Sequence, residues 1–130
     1  MLNKKIEIKL KGVEIPLWFN NFASAELQKM YGSDMSTVMV TLLERLKDNY
    51  LLILSDLIKV GIKGQCFAKD IPKPDYLVNI NEMIADEPDE TLMPIWVEIW
   101  EVFTEHMGIN LPQEETGKKK VVKNTKKVQF

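Results

Sequence analysis

The stretch from Met35 to Val60, MSTVMVTLLERLKDNYLLILSDLIKV, constrains the fold more than any other part of the chain. Apolar side chains recur at Met35, Met39, Leu42, Leu46, Ile53, Leu57 and Val60, the three-and-four spacing of a helix with one buried face. Tyr50 to Leu54 is apolar without a break, so a helix there buries most of its circumference. Lys47, Asp48 and Asn49 interrupt the pattern. The spacing predicts a helix hairpin or a bent helix over 36–47 and 49–60, stopped by Gly61. Asp48 or Asn49 caps the second part, because a short side-chain oxygen accepts an otherwise unpaired backbone N–H. No other stretch is both long and apolar enough to organise a core, so the remaining elements must pack on this one.

Composition narrows the function classes. A chain of 130 residues, 45% apolar, has the size and apolar content of one folded domain. No run approaches the ~18 unbroken apolar residues that span a bilayer. The start, MLNKKIEIKL, alternates charged and apolar residues and lacks the apolar core of a secretory signal, which predicts a cytoplasmic protein without membrane contact. Cys66 is the one cysteine and His106 the one histidine. They leave no internal disulfide, no cysteine-cluster or histidine-rich metal site and no conventional triad, and no cofactor is expected. Residues 1–112 hold eleven Lys/Arg against seventeen Asp/Glu, whereas residues 113–130 hold six lysines against two glutamates. An acidic body, 1–112, with a basic tail, 113–130, follows.

In chain order, Lys4 to Phe19 reads as a β-hairpin. Ile6, Ile8 and Leu10, then Val13, Ile15 and Leu17, alternate with mostly polar neighbours, which puts each apolar set on one face. Lys11-Gly12 is the turn. Pro16 cannot donate to a ladder, so its nitrogen faces an edge. Residues 22–31 read as a short helix capped by Asn20 or Asn21 and stopped by Gly32. Residues 61–74, with two glycines and two prolines, read as a connector in which Ile62 and Phe67 tuck into the core edge. Residues 74–85 form a further helix with Tyr76, Leu77, Ile80, Met83 and Ile84 inward. The acidic loop Asp86-Glu87-Pro88-Asp89-Glu90 follows, then a last helix over 91–107 with Ile95, Trp96, Ile99, Trp100, Phe103 and Met107 as its apolar stripe. Pro94 fits that helix in its first turn and otherwise kinks it. The expected fold is α+β and mostly α: an N-terminal hairpin, a small bundle of about five helices and a disordered tail over 113–130.

Each candidate for chemistry has a plainer reading beside it. His106, near a helix C-terminus, is a base or pH sensor, or, as we prefer, an ordinary surface histidine. Cys66 lies among loop residues with no base in sequence reach and reads as an ordinary thiol. The acidic cluster 86–90 lacks the spacing and central glycine of a calcium loop and reads as a solvated turn. Trp96, Trp100 and Phe103 read as core rather than as a partner stripe. Trp18 lies on the polar side of the second strand, as an interface anchor or as a lid over the hairpin. Lys118, Lys119, Lys120, Lys123, Lys126 and Lys127 would attract nucleic acid, but the body is acidic and only Phe130 offers a ring for stacking. A tail in water or on a protein is the preferred reading. No nucleophile–base–orienter set is visible, so an enzyme is not expected.

The hairpin with its glycine turn, the following LWFNNFASAELQKMYG and the helical pair ending LSDLIKVGIK together resemble the tail assembly chaperones of long-tailed bacteriophages and prophages. The features shared with that family are Phe19 and Phe22, Tyr31-Gly32, Val60-Gly61-Ile62 and the proline-bearing link with its helix at Pro72 to Ile84. The resemblance covers residues 4–85; the Trp-rich last helix and the tail depart from it. It implies a non-enzymatic protein of the host cytoplasm that binds the tape measure protein and keeps it soluble while tail tube protein assembles around it. It also implies absence from the finished virion. Many family members have a longer, frameshifted form that recruits the tube protein, and Gly117 to Lys120 is compatible with an A-rich slippery sequence. The partner-binding candidates are Trp18, Phe19, Phe22 and Tyr31, then Lys118, Lys119 and Lys120. Self-association through the hairpin's free edge is a further expectation. The alternatives are a head–tail connector or tail completion protein and a small regulator using its lysines on nucleic acid. Deleting residues 113–130 is expected to shift the thermal midpoint by less than about 3 °C, and a larger loss in a melting curve would contradict a tail that packs on nothing.

Overall fold

The structure, a computed structural model, describes residues 4–32 and 34–107. The tail 113–130 lies outside the described residues. Strands β1 (Lys4–Leu10) and β2 (Val13–Phe19) form a two-stranded antiparallel sheet with Ile8 opposite Ile15 and Lys5 opposite Trp18. Five α-helices follow: α1 (Asn21–Tyr31), α2 (Met35–Asp48), α3 (Tyr50–Lys69), α4 (Ile80–Ala85) and α5 (Asp89–Met107). The chain is therefore α+β and mostly α.

The period-two pattern of the hairpin is realised as an amphipathic ribbon. Ile8, Leu10, Ile15, Leu17 and Phe19 are buried, while Lys5, Glu7, Lys9 and Glu14 are exposed on the other face. Lys11 and Gly12 have φ of 50° and 79°, the positive pair of a two-residue turn that matches strand twist. Glycine takes this conformation freely, whereas lysine is strained by its Cβ. The Lys11 backbone N–H donates to a Glu87 carboxylate oxygen at 2.6 Å, which ties the hairpin tip to the loop before α5. Pro16 stands opposite Glu7, in the fourth pair from the turn. By the alternation of antiparallel pairs its nitrogen is directed away from β1, so the outer edge of β2 lacks a donor there.

Every helix that begins on a clear cap does so on Asn or Asp. The Asn20 side chain accepts from Ala23 N, Asp34 from Thr37 N and Asn49 from Leu51 N. Asn49 also ends α2 with its own N–H on the Arg45 carbonyl, so α2 and α3 join through one extended residue.

Helix α3 differs most from expectation. It does not stop at Gly61 but runs through Gly61 and Gly64 to Lys69. The connector expected over 61–74 is helical for most of its length. The two glycines are seats rather than breaks: a Cβ at Gly61 would lie 3.0 Å from Leu17 Cβ and 3.2 Å from the Phe19 ring. A Cβ at Gly64 would strike the Trp18 main-chain carbonyl and lie 2.8 Å from Asn20 Oδ1 and 3.2 Å from Ala23 Cβ. Absent side chains let β2 and the start of α1 lie directly on the helix. The end of α3 is set by Asp70 in left-handed geometry (φ 55°), with Asp70 N on the Phe67 carbonyl and Ile71 N on the Cys66 carbonyl. These two bonds close a Schellman motif with Asp where glycine is usual. Of the two residues expected to tuck inward, Ile62 is buried but Phe67 is 63% exposed.

The helix expected over 74–85 is a 3-10 turn (Asp75–Asn79) leading into α4, whose Ile80 and Ile84 face the core. Helix α5 begins two residues earlier than expected, at Asp89, and carries Pro94 inside it. The residue whose carbonyl Pro94 cannot bond, Glu90, is exposed at the start of the helix. Asp89 and Glu90 are first-turn residues, where acid is favoured by the exposed N–H groups. Phe19 meets Phe103 edge-on at 6.0 Å, and Trp96, Trp100 and Phe103 form a ladder that Tyr50 extends. This places Phe103 in the core, with Trp96 and Trp100 half-buried against it. Among the described residues no helix is long and apolar enough to cross a membrane.

Gly64→Ala is expected to cost about 2 kcal/mol or more in urea unfolding, because the obstructing atom is main chain. Lys11→Asn and Asp70→Gly are each expected to gain about 0.5–1 kcal/mol by relieving positive-φ strain; a loss at either would mean that side chain has a role its geometry does not reveal.

Candidate partner-binding surface

Helix α1 crosses α3 where Ala23 meets Gly64. The close approach brings the neighbouring residue Phe22 onto Phe67, one turn further along α3. Their rings are parallel, 4.2 Å apart with 1° between planes. Phe22 is half-buried and Phe67 largely exposed. Beyond the Asp70 turn, Ile71 (50% exposed), Pro72 and Lys73 continue the wall of an open groove of about 380 Å³ that Lys63 also lines. An exposed phenylalanine stack beside an exposed isoleucine is an unusual surface for a body with this much core to fill, and it marks a place where apolar partner surface can be covered.

The electrostatics of the rim are uneven. Glu26 accepts from Lys29 at 2.9 Å and from Lys63 at 3.4 Å. The Lys29 hydrogen bond, followed by the two charges, holds the Glu26 carboxyl below its ordinary value, against an opposing push from burial. Lys63 is thereby engaged inside the protein. Cys66 forms part of the groove floor from within α3, not from a loop as its sequence neighbours suggest. It is 5% exposed, its Sγ lies 3.6 Å from the Pro72 carbonyl, and burial pushes its thiol up. At neutral pH it is a protonated, sheltered thiol.

The other sequence candidates scatter. Phe19 is fully buried against Phe103 and Tyr31 is 8% exposed, so neither ring is offered to a partner in this fold. Trp18 is half-buried, with Lys5 Nζ 4.3 Å above its ring, which favours the lid over the anchor. Its indole Nε1 is buried and, among the described residues, without a hydrogen-bond partner. Lys118, Lys119 and Lys120 lie outside the described residues. Only Phe22 joins the groove. Phe67, Ile71 and Lys73 were missed, because reading Gly61 as a stop made their surroundings a connector. His106, expected at the surface, is half-buried at the end of α5, its Nε2 3.2 Å from Ser24 Oγ on α1. Among the described residues no group of three or more His, Cys, Asp or Glu is placed to hold a metal ion.

A second open cleft, of about 390 Å³, lies between α2, α3 and α4. Its apolar floor is Leu51, Leu52 and Ile84, and Arg45 and Lys59 line it with Asp56. The Tyr31 hydroxyl donates to Asp56 Oδ2 at 2.6 Å, and the Arg45 guanidinium sits 5.2 Å from the centre of the Tyr31 ring. Burial, then the Asp56 carboxylate, push the Tyr31 phenol well above its ordinary value, so at neutral pH it is a hydrogen-bond donor. Ser55 and Asn81 hydrogen-bond across the α3–α4 side.

No protein-family model matches this sequence, and no curated protein or solved structure is significantly similar to it.

A carboxylate held below its ordinary value stabilises the fold above that value and loses its contribution as pH falls through the lowered one. Glu26→Gln is therefore expected to lower stability at pH 7 by the modest worth of the two ion pairs, with the difference from wild type shrinking to nothing as pH falls through the lowered value, so the acid limb is flatter; an unchanged acid limb would show that Glu26 is not held by its lysines.

Proposed function

We propose that this chain is a tail assembly chaperone of the long-tailed phage type. It acts in the host cytoplasm by binding alone, and it holds the tape measure protein in a soluble state until tube subunits assemble. The observation that carries the reading is the exposed Phe22–Phe67–Ile71 groove on a small hairpin-and-helix body. A long helical client presents apolar residues at three-and-four spacing, and an aromatic and aliphatic groove accepts such a stripe without demanding one sequence. The order of hairpin, Tyr31-Gly32 helix and Gly61-bearing helix in the sequence supports the same family. In this reading the tube protein is recruited by a longer form of the chain made by frameshifting near Lys118 to Lys120.

The test is co-expression with the long coiled-coil-rich protein encoded beside it, followed by pull-down and sizing. The wild-type chain is expected to hold the client in the soluble fraction at several copies per client. Phe67→Asp, at an exposed site that leaves the core intact, is expected to reduce recovered client at least tenfold. Recovery of the chain in purified particles, with no soluble client complex, would instead support a connector or completion protein.

A further inference from the structure

The cleft between α2, α3 and α4 and the outer face of α5 have complementary surfaces. On α5, Met93 and Val97 are 46% and 55% exposed and stand four residues apart. Glu90, Glu98 and Glu101 are exposed on the same side of the helix by its 3.6-residue repeat. This is an apolar strip edged with carboxylates. The cleft is the reverse: Leu51, Leu52 and Ile84 form an apolar floor, and Leu52 is 44% exposed. Arg45 and Lys59 are its cations. The one acid lining it, Asp56, is occupied by the Tyr31 hydroxyl. Among the described residues no ion pair within 4.0 Å joins Arg45 or Lys59 to a carboxylate, or Glu90, Glu98 or Glu101 to a cation.

We propose that the α5 outer face of one copy seats in the α2–α3–α4 cleft of a second copy, with Met93 and Val97 on Leu52 and the α5 glutamates against Arg45 and Lys59. Arg45 suits this role because its planar fork can grip a carboxylate while its face rests on Tyr31. The two surfaces are different parts of the same chain, so the contact is heterologous. Each copy retains one unused surface, and copies add head to tail into a ring or an open chain. The proposal uses neither the Phe22–Phe67 groove nor any client, so it stands or falls apart from the function proposed above.

The test uses the full chain, sized by light scattering over a range of concentrations at low and high salt. Wild type is expected to grow beyond the monomer with concentration, and added salt is expected to weaken the association. Leu52→Asp, which spoils the cleft, and Val97→Asp, which spoils the face, are exposed changes that keep the fold. Each alone is expected to weaken association at least tenfold. Mixed together they are expected to form a one-to-one dimer and nothing larger, because only one intact face and one intact cleft remain to meet. Circular dichroism of each variant checks that the fold is kept. A wild type that stays monomeric throughout would overturn the proposal. So would variants that still assemble alone, or a mixture that stays monomeric.

Discussion

The fold depends on the close approach of main chain at Gly64. Asn20 is buried there, its amide donating to the Gly64 carbonyl at 3.1 Å and its oxygen accepting from Ala23 N at 3.0 Å. One side chain thus ends the hairpin, starts α1 and fastens both to α3. The carbonyl it bonds belongs to the residue whose missing side chain makes room for it. Glycine inside a helix costs about 1 kcal/mol relative to alanine. Here that cost is offset because the approach at Gly64, together with the seat of Leu17 and Phe19 on Gly61 one turn earlier, lays the hairpin's apolar face on α3. An isolated two-stranded ribbon is marginal in water, so this seat makes the ribbon a stable element.

How legible the sequence was depended on how local each determinant is. The hairpin is local, since alternation and a Lys-Gly turn specify its strands and register. The boundary at Asn49 is local as well, because three polar residues interrupt two apolar repeats and one of them can cap. The far end of α3 is not local. Gly61 has the composition of a stop, and only the presence of β2 across it turns it into a seat. Asp70 supplies the true stop in a conformation that glycine usually takes, so the termination signal sat where no glycine marked it. This one misplacement accounts for much of what was missed at the candidate site. With Phe67 assigned to a connector, its stacking on Phe22 had no geometric basis. The aromatic residues chosen instead, Phe19 and Tyr31, were apolar enough to be core, and the fold uses them there.

The surface divides its exposed apolar side chains among separate places. Phe67 and Ile71 flank one groove, Leu52 belongs to another, and Met93 and Val97 lie along α5. On the function proposed above, the chain would have to hold a long client and also register with its neighbours, and distinct surfaces allow both at once. The groove at Phe22 has Lys63 paired with Glu26 and carries Lys73 and Asp70 as its other charges, one of each sign, which suits contact of low charge specificity. The cleft at Arg45 keeps its cations available, which suits one acidic surface over others.

The bond from Lys11 to Glu87 joins residues 76 apart in sequence, and the seat at Gly64 lies 44 residues beyond Asn20. At synthesis rates of about 5–20 residues per second, the hairpin leaves the ribosome roughly 2–9 s before Gly64, on which it is seated, follows it. For that interval Ile8, Leu10, Ile15, Leu17 and Phe19 form an uncovered apolar ribbon with free strand edges. The sequence order that builds the fold on a late helix therefore sets a window during translation in which the nascent chain itself is prone to stick. The charged residues Lys5, Glu7, Lys9 and Glu14 on the opposite face, and the donor missing at Pro16, limit what can pair with it before α3 arrives.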